Sequence, residues 1–334
     1  METDLARWRR GWQGTPRVVW VGAPGSVVWP ETRAVLEGGG LEIVQTAIRG
    51  AEGGVPPETA VAEVVIATGL PLDADAFGSL PHARFVLRPS VGYDDIDVEA
   101  ATRQGILVAN VPDTFIDEVA DHALTLILAA IRRLPHMECL VRAGRWAQGE
   151  DPRPAARPVR RLSTMTLGLV GLGSIARLVA ERARPFGFRL LACDPYVAAD
   201  TAAALGVRLV SLEELLGQSD VVSLHVLLTK ETRHLIDTRR LARMKPTAIL
   251  VNTARGPVVD EAALVEALRA GRLGGAALDV FEIEPLDPAS PLLQLGNVIV
   301  TPHLGSYSDE GDAVHRRRVG QLLLQAASGG LPER

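Results

Sequence analysis

Three residues in the C-terminal half of the chain could share one chemistry. Arg255 lies just beyond the apolar run 248–251 in "AILVNTARG", Glu284 precedes Pro285 in "ALDVFEIEP", and His303 ends the run in "NVIVTPH". A histidine titrates near neutrality, so it can both give and take a proton under physiological conditions. A carboxylate bonded to its second ring nitrogen fixes the tautomer and favours the imidazolium, a role that suits Glu284. The planar fork of Arg255 can bind a carboxylate and polarise the carbonyl next to it. Together these groups suit a 2-oxo acid. Hydride delivery to its carbonyl leaves an alkoxide that needs a proton, and the reverse reaction needs a hydroxyl proton removed. Taken singly, each residue has an ordinary alternative: a surface ion pair, a solvated acid, a packing histidine.

The joint reading requires a hydride carrier, and residues 168–195, "GLVGLGSIARLVAERARPFGFRLLACDP", provide a place for one. Gly171, Gly173 and Ala176 fit GxGxxG/A, which is weak by itself in a chain with 32 glycines. The context strengthens it: residues 166–170 are apolar and β-prone, 174–184 have helical spacing, and 188–193 form a second apolar run closed by Asp194. That is the strand-turn-helix-strand unit, with an acid about 20 residues on, that a dinucleotide fingerprint needs. Gly171 permits the tight turn, Gly173 leaves room for a pyrophosphate, and Ala176 lets helix and strand pack closely. The amides of Leu172, Gly173, Ser174 and Ile175, at the positive end of the helix dipole, are expected to face the phosphates. Asp194 can accept from both adenosine ribose hydroxyls and would repel a 2′-phosphate, so the expected cofactor is NAD.

These residues need elements to hold them. From Arg17 onward, "RVVWVG", "LEIVQTA", "AEVVIATG", "ARFVLR" and "ILVAN" read as five strands separated by helical stretches. A second set, "TLGLVG", "RLLACD", "DVVSLHV", "AILVNTA", "GAALDV" and "NVIVTPH", reads as six more. The fold class is therefore α/β, with two Rossmann-like doubly wound parallel-sheet domains and a cleft between them. The first is a flavodoxin-like substrate domain, 1–112 completed by 306–334, and the second is the NAD-binding domain, 113–305. One long amphipathic helix is expected from Asp117 to Arg142, a surface loop over 149–161, and a final helix over about 309–328 that packs back on the first domain. In open α/β sheets ligands sit at the carboxyl ends of strands, so Arg255, Asp279, Glu284 and His303 should all project toward the cofactor.

A length of 334 residues fits two domains at about 150 residues each. With 47% hydrophobic residues and a net charge of −5, the chain lacks the basic excess of nucleic-acid binders and is unsuited to anionic membranes. The apolar stretch 123–131 is too short to span a bilayer. The opening "METDLARWRRGWQG" has no apolar signal core, so a cytoplasmic protein is expected. Cys139 and Cys193 lie far apart and are expected to be buried small residues, with no metal cluster or disulfide framework.

With "GLGSIA", "VNTARG", "ALDVFEIEP" and "TPH" in order and at matching spacing, the sequence resembles the NAD-dependent D-2-hydroxyacid dehydrogenases over nearly its whole length. The resemblance implies that Arg255, Glu284 and His303 are the catalytic set and that Thr253, Ala254 and Asp279 line the nicotinamide end of the cofactor site. It also implies a two-fold homodimer. Within the family, "NVPDTFIDEVADHAL", "FGFRLLACDPY" and the Tyr307 segment look closest to the branch that contains the C-terminal-binding-protein corepressors. In that branch Arg88 corresponds to a second arginine reaching the substrate, and Ser90, Val91 and Gly92 would offer backbone amides to its carboxylate. Val226 is placed in the cofactor wall beside His225, while His122 is read as helix packing. There are departures: Thr164 and Leu227 stand where many relatives carry Gly and Pro, and Ser306 where the corepressors carry Trp. Formate dehydrogenases of this superfamily have Gln at the position of Glu284. The main expectation is an enzyme that interconverts a 2-oxo acid and a D-2-hydroxy acid. The alternative is an NAD-sensing, corepressor-like binding protein.

Overall fold

The computed structural model describes residues 15–22, 26–48, 54–153 and 159–330. Contacts divide the chain into two compact units, Met1–Phe115 with Ser308–Arg334, and Ile116–Tyr307.

The first unit carries five parallel strands, β1 (Val18–Gly22), β2 (Ile43–Ala47), β3 (Val64–Ala67), β4 (Phe85–Leu87) and β5 (Leu107–Ala109), in the order β2-β1-β3-β4-β5. That is the flavodoxin-like order. The side chains of β1 alternate between two apolar layers, as a strand covered on both faces requires. Val18 and Trp20 pack with Leu36, Val319 and Leu322, while Val19 and Val21 pack with Leu72 and Phe77. The first layer is closed by α1 (Pro30–Gly38) and by the C-terminal helix, Asp309–Ala327. Ser308 caps that helix by accepting from the Gly311 amide at 2.8 Å. The Thr32 hydroxyl of α1 donates to the Arg316 carbonyl at 2.6 Å.

The second unit carries seven parallel strands: β6 (Thr166–Val170), β7 (Arg189–Cys193), β8 (Val207–Leu209), β9 (Val221–Leu224), β10 (Ile249–Asn252), β11 (Gly275–Leu278) and β12 (Val298–Val300). Their order is β12-β11-β10-β9-β6-β7-β8. Taking β6 as the first strand, this is the doubly wound nucleotide-binding order with one strand added, and the order reverses between β6 and β9. A turn that follows β6 therefore opens at the switch point. The sequence expectation of six strands omits β8, whose three residues, "VRL", are too short to stand out.

Two further expectations are corrected. The long helix is two helices, α2 (Ile116–Ile131) and α3 (Leu134–Arg142). Between them Arg133 takes a left-handed φ of +52°. Pro135 is the cause: it has no amide to donate and its ring would collide with the carbonyl four residues back, so the first helix must stop. Cys139 lies on α3 and is exposed rather than buried, and Cys193 is half-buried. Of the expected loop over 149–161, residues 154–158 lie outside the described residues, as does the N-terminal segment 1–14. Among the described residues no helix is long and apolar enough to cross a membrane.

Gly320 lets the C-terminal helix lie close to α1, because a Cβ built there would sit 2.8 Å from Val35 Cβ and 3.1 Å from the Thr32 carbonyl oxygen. Gly320→Ala should therefore lower stability: overpacking costs about 1–3 kcal/mol, against about 1 kcal/mol gained in helix propensity. Thermal unfolding is the check, and an unchanged or raised melting temperature would contradict this packing.

Candidate active site

The turn after β6 is shaped by one glycine. Gly171 has φ +91°, and a Cβ there would lie 2.6 Å from the His225 carbonyl oxygen, so both conformation and space demand glycine. The next helix, α4 (Ser174–Ala183), begins at Gly173 with no side-chain cap. Gly173 is exposed, and a Cβ built on it would meet nothing within 4 Å, so the first amides of α4 open onto free space. Asp194 at the end of β7 fastens this turn, Oδ2 accepting from the Leu172 amide and Oδ1 from the Tyr196 amide, both at 2.8 Å. Each oxygen keeps a second lone pair. Arg177, in the first turn of α4, donates from Nε to the Leu172 carbonyl at 3.0 Å. It brings positive charge to the same turn and falls outside the glycine fingerprint, so sequence reasoning missed it.

His225 follows β9. Its Nε2 lies 2.9 Å from Ser223 Oγ, and burial pushes its pKa down to about 4, so the ring is neutral at neutral pH. Val226 comes next and is half-buried. After β10, Thr253 Oγ1 is buried with no partner among the described residues. An uncapped helix start open to space, a glycine where a side chain would intrude and an orphaned buried hydroxyl fit a bound dinucleotide. The residues suited to hold one are the amides of Gly173, Ser174 and Ile175 with Asp194, Val226, Thr253 and Ala254; the Leu172 amide, expected to face the phosphates, is instead given to Asp194, and the Gly171 amide donates to the Cys193 carbonyl at 2.9 Å.

Arg255 is positioned by a turn that Asn252 braces. Asn252 is buried; its Nδ2 donates to the Arg255 carbonyl at 2.9 Å and its Oδ1 accepts from the Ala254 amide at 3.0 Å. The Arg255 guanidinium donates from Nη1 to the Ala254 carbonyl at 2.8 Å. Next in the chain, a Cβ on Gly256 would lie 1.7 Å from the Phe281 carbonyl oxygen, so only glycine allows this approach of the 252–256 turn to the loop that carries Glu284. A lone Asn at the end of an apolar run, followed by a turn, was the available signal for Asn252.

Glu284 and His303 meet. Glu284 Oε2 lies 2.5 Å from His303 Nδ1, while Oε1 accepts from the Phe281 amide at 2.9 Å. With Nδ1 engaged, Nε2 is the ring nitrogen left to exchange a proton. Both side chains line a cavity of about 630 Å³ whose other walls include Phe281, Leu286, Val300 and Pro302. His303 adopts a left-handed φ of +54°, uncommon for a residue with a Cβ.

Asp279 holds that backbone in place. Its carbonyl accepts from the His303 amide at 2.8 Å, and its buried carboxylate accepts from Thr301 Oγ1 at 2.6 Å, the Leu304 amide at 3.1 Å and the Gly305 amide at 2.9 Å. His122 Nε2, from α2, lies 3.3 Å from Asp279 Oδ1 and 3.1 Å from Thr301 Oγ1. Burial alone would raise the Asp279 carboxyl; the hydrogen bonds from His122, Thr301 and Gly305 outweigh it and hold the group below its ordinary value. The Asp279 carboxylate is thus spent inside the protein, on the loop that presents His303.

In the first unit, Arg88 follows β4. Its guanidinium donates to the Ala67 carbonyl at 2.8 Å and the Leu70 carbonyl at 3.4 Å and pairs with Asp95, so it braces neighbouring loops. The segment after it has its carbonyls occupied: Ser90 O accepts from the Val111 amide at 3.1 Å, Val91 O from Asn110 Nδ2 at 2.7 Å, and Gly92 O from Ser90 Oγ at 2.7 Å. Among the described residues the amides of Val91 and Gly92 donate to no protein acceptor.

Residues 124–305 match the model of the D-isomer specific 2-hydroxyacid dehydrogenase NAD-binding domain. The chain belongs to this family. It is 45% identical over 266 residues to a glyoxylate reductase of Korarchaeum cryptofilum, covering 78% of each chain. It is 42% identical over 266 residues to a D-3-phosphoglycerate dehydrogenase of Mycobacterium bovis, a match that takes in 80% of this chain and 49% of that one. A crystal structure of a D-lactate dehydrogenase from Aquifex aeolicus, complexed with NAD and lactic acid, superimposes with a TM-score of 0.83 at 31% identity, covering 94% of this chain and 96% of that one. The protein is an NAD-dependent D-2-hydroxyacid dehydrogenase, and its cofactor is NAD. These matches lend no support to the corepressor-like alternative.

Asp194 generates a test of cofactor choice. The enzyme should prefer NADH to NADPH, and Asp194→Ala should weaken NADH and narrow that preference in steady-state kinetics with both cofactors. An unchanged preference in the variant would remove Asp194 from the adenosine ribose.

Proposed function

We propose that the enzyme reduces a small 2-oxo acid to the D-2-hydroxy acid, with His303 as general acid and base, Glu284 as the group that orients it, and Arg255 as the residue that binds and polarises the substrate. The observation that carries this reading is the 2.5 Å hydrogen bond between Glu284 and His303 Nδ1 at the carboxyl end of the nucleotide-binding sheet. When bound, NADH supplies the hydride for the substrate carbonyl carbon.

The remaining steps belong to side chains of this chain. Glu284 fixes the His303 tautomer and stabilises positive charge on the ring, so that Nε2 carries the proton the nascent alkoxide needs. In the oxidation direction the same nitrogen takes the proton from the substrate hydroxyl. The Arg255 fork draws the substrate carboxylate and the adjacent carbonyl oxygen into one plane, which concentrates positive charge where negative charge develops in reduction. Its turn is fixed by Asn252, so little reorganisation accompanies binding. In the first unit, the amides of Val91 and Gly92 are assigned to the substrate carboxylate. Glyoxylate, the substrate named for the Korarchaeum relative, is the first compound to test.

NADH oxidation across a panel of 2-oxo acids that includes glyoxylate should show turnover, and its absence from every member would overturn the reading. Arg255→Lys keeps the charge but loses the fork. It should lower kcat/KM for the preferred 2-oxo acid by about 10²-fold or more while leaving NADH affinity within about twofold. A collapse of NADH binding instead would make Arg255 a structural residue.

A further inference from the structure

His315 takes no part in the chemistry above, yet it is among the most completely engaged side chains of the first unit. It sits on the C-terminal helix and is only 4% exposed. Its Nε2 lies 3.1 Å from the Pro89 carbonyl oxygen and its Nδ1 lies 2.9 Å from Thr114 Oγ1. Its ring lies 4.7 Å from that of Phe115 and 5.5 Å from that of Trp29. The contacts suit the neutral ring with its hydrogen on Nε2. A carbonyl can only accept, so Nε2 carries the hydrogen, and the Thr114 hydroxyl donates to Nδ1. The neutral tautomer satisfies every polar atom of the ring. Burial lowers its pKa and so favours that form; the Pro89 carbonyl, Asp312 and Asp113 pull the other way, while Arg316 adds to the lowering.

Pro89 is itself buried and stands directly before Ser90, Val91 and Gly92. The carbonyls of Ser90, Val91 and Gly92 are held by Val111, Asn110 and Ser90 Oγ, and that of Pro89 by His315. The Ser90 and Val91 carbonyls share their peptide planes with the Val91 and Gly92 amides, so the bonds from Val111 and Asn110 set those amides directly; the Pro89 carbonyl lies one peptide upstream, in the plane of the Ser90 amide, which donates to the Arg88 carbonyl at 2.8 Å, so His315 anchors the start of the loop.

We propose that His315 is a positioning residue for substrate: by holding the Pro89 carbonyl against the C-terminal helix, it keeps the Val91 and Gly92 amides set to receive the substrate carboxylate. This rests on the assignment of those amides to the carboxylate under the proposed function. It reaches the substrate only through the loop, so it should govern KM rather than hydride transfer.

The test is steady-state kinetics of the full-length enzyme with NADH and the preferred 2-oxo acid. His315→Leu keeps volume but loses both hydrogen bonds, and it should raise KM for the 2-oxo acid by roughly 5- to 10-fold, with kcat and NADH affinity within about twofold. His315→Gln can return a donor to the Pro89 carbonyl and should recover most of the native KM. A role in packing alone would lower the melting temperature of both variants and leave KM unchanged. Thr114→Val, which removes only the hydroxyl, should raise KM less than His315→Leu and keeps the question answerable should the leucine variant fold poorly. A native KM in the folded leucine variant overturns the proposal, as does an equal KM rise in the leucine and glutamine variants. Asn110→Leu, which frees the Val91 carbonyl, separates the two levels. If it raises KM while His315→Leu does not, the loop assignment stands and the role of His315 falls. If neither moves KM, the loop assignment falls with it.

Discussion

Asp279 is buried and negatively charged, and most of the donors around its carboxylate belong to one short loop. Thr301, Leu304 and Gly305 all give it a hydrogen bond, and His303 gives one to its carbonyl. A buried carboxylate is costly unless paired and hydrogen-bonded; here the donors compensate it, and His122 stands beside it. The same bonds hold His303 in a left-handed backbone conformation, a strain on the order of 1–3 kcal/mol that persists only where surroundings over-determine it. The Glu284 hydrogen bond to the ring then sets its tautomer. Anchoring of the loop by Asp279 comes first, and the proposed proton transfer depends on it.

Close backbone approach is the second constraint. Gly171 beside the His225 carbonyl and Gly256 beside the Phe281 carbonyl each mark a place where a Cβ would not fit. The first draws the β6 turn against the end of β9, across the point where the strand order reverses. The second draws the turn that carries Arg255 against the loop that carries Glu284. Groups far apart in sequence are thus gathered along the carboxyl ends of one parallel sheet, where the chemistry of the family needs them.

Much of this was legible in the sequence because it depends on local pattern. The glycine spacing, the apolar runs and an acid at the end of β7 need no knowledge of distant partners, and the strands of both sheets follow from them except β8, which is only three residues long. The break between α2 and α3 was also written locally, in Pro135, but the apolar periodicity on either side of it concealed the stop. Sequence reasoning had less purchase where a side chain's role is set by what lies across the fold. Asp279 reads as a polar strand end, and nothing near it in sequence reveals that its partners come from residues 301–305. Arg88 reads as an arginine after a strand, and only the fold shows its guanidinium engaged by Ala67, Leu70 and Asp95. Asn252 reads as one letter of a motif, although it is the brace of the Arg255 turn.

The proposed proton transfer requires Glu284 to act through His303. The direct measurement is a double-mutant comparison of kcat for reduction of the preferred 2-oxo acid by the native enzyme, Glu284→Gln, His303→Ala and the double variant. His303→Ala should slow turnover by about 10²- to 10⁴-fold, the range for losing a positioned general acid. If Glu284 acts on the substrate only through the imidazole, the double variant should be little slower than His303→Ala alone. Losses that multiply in full in the double variant would mean that the two residues act independently and that the hydrogen bond between them does not carry the mechanism.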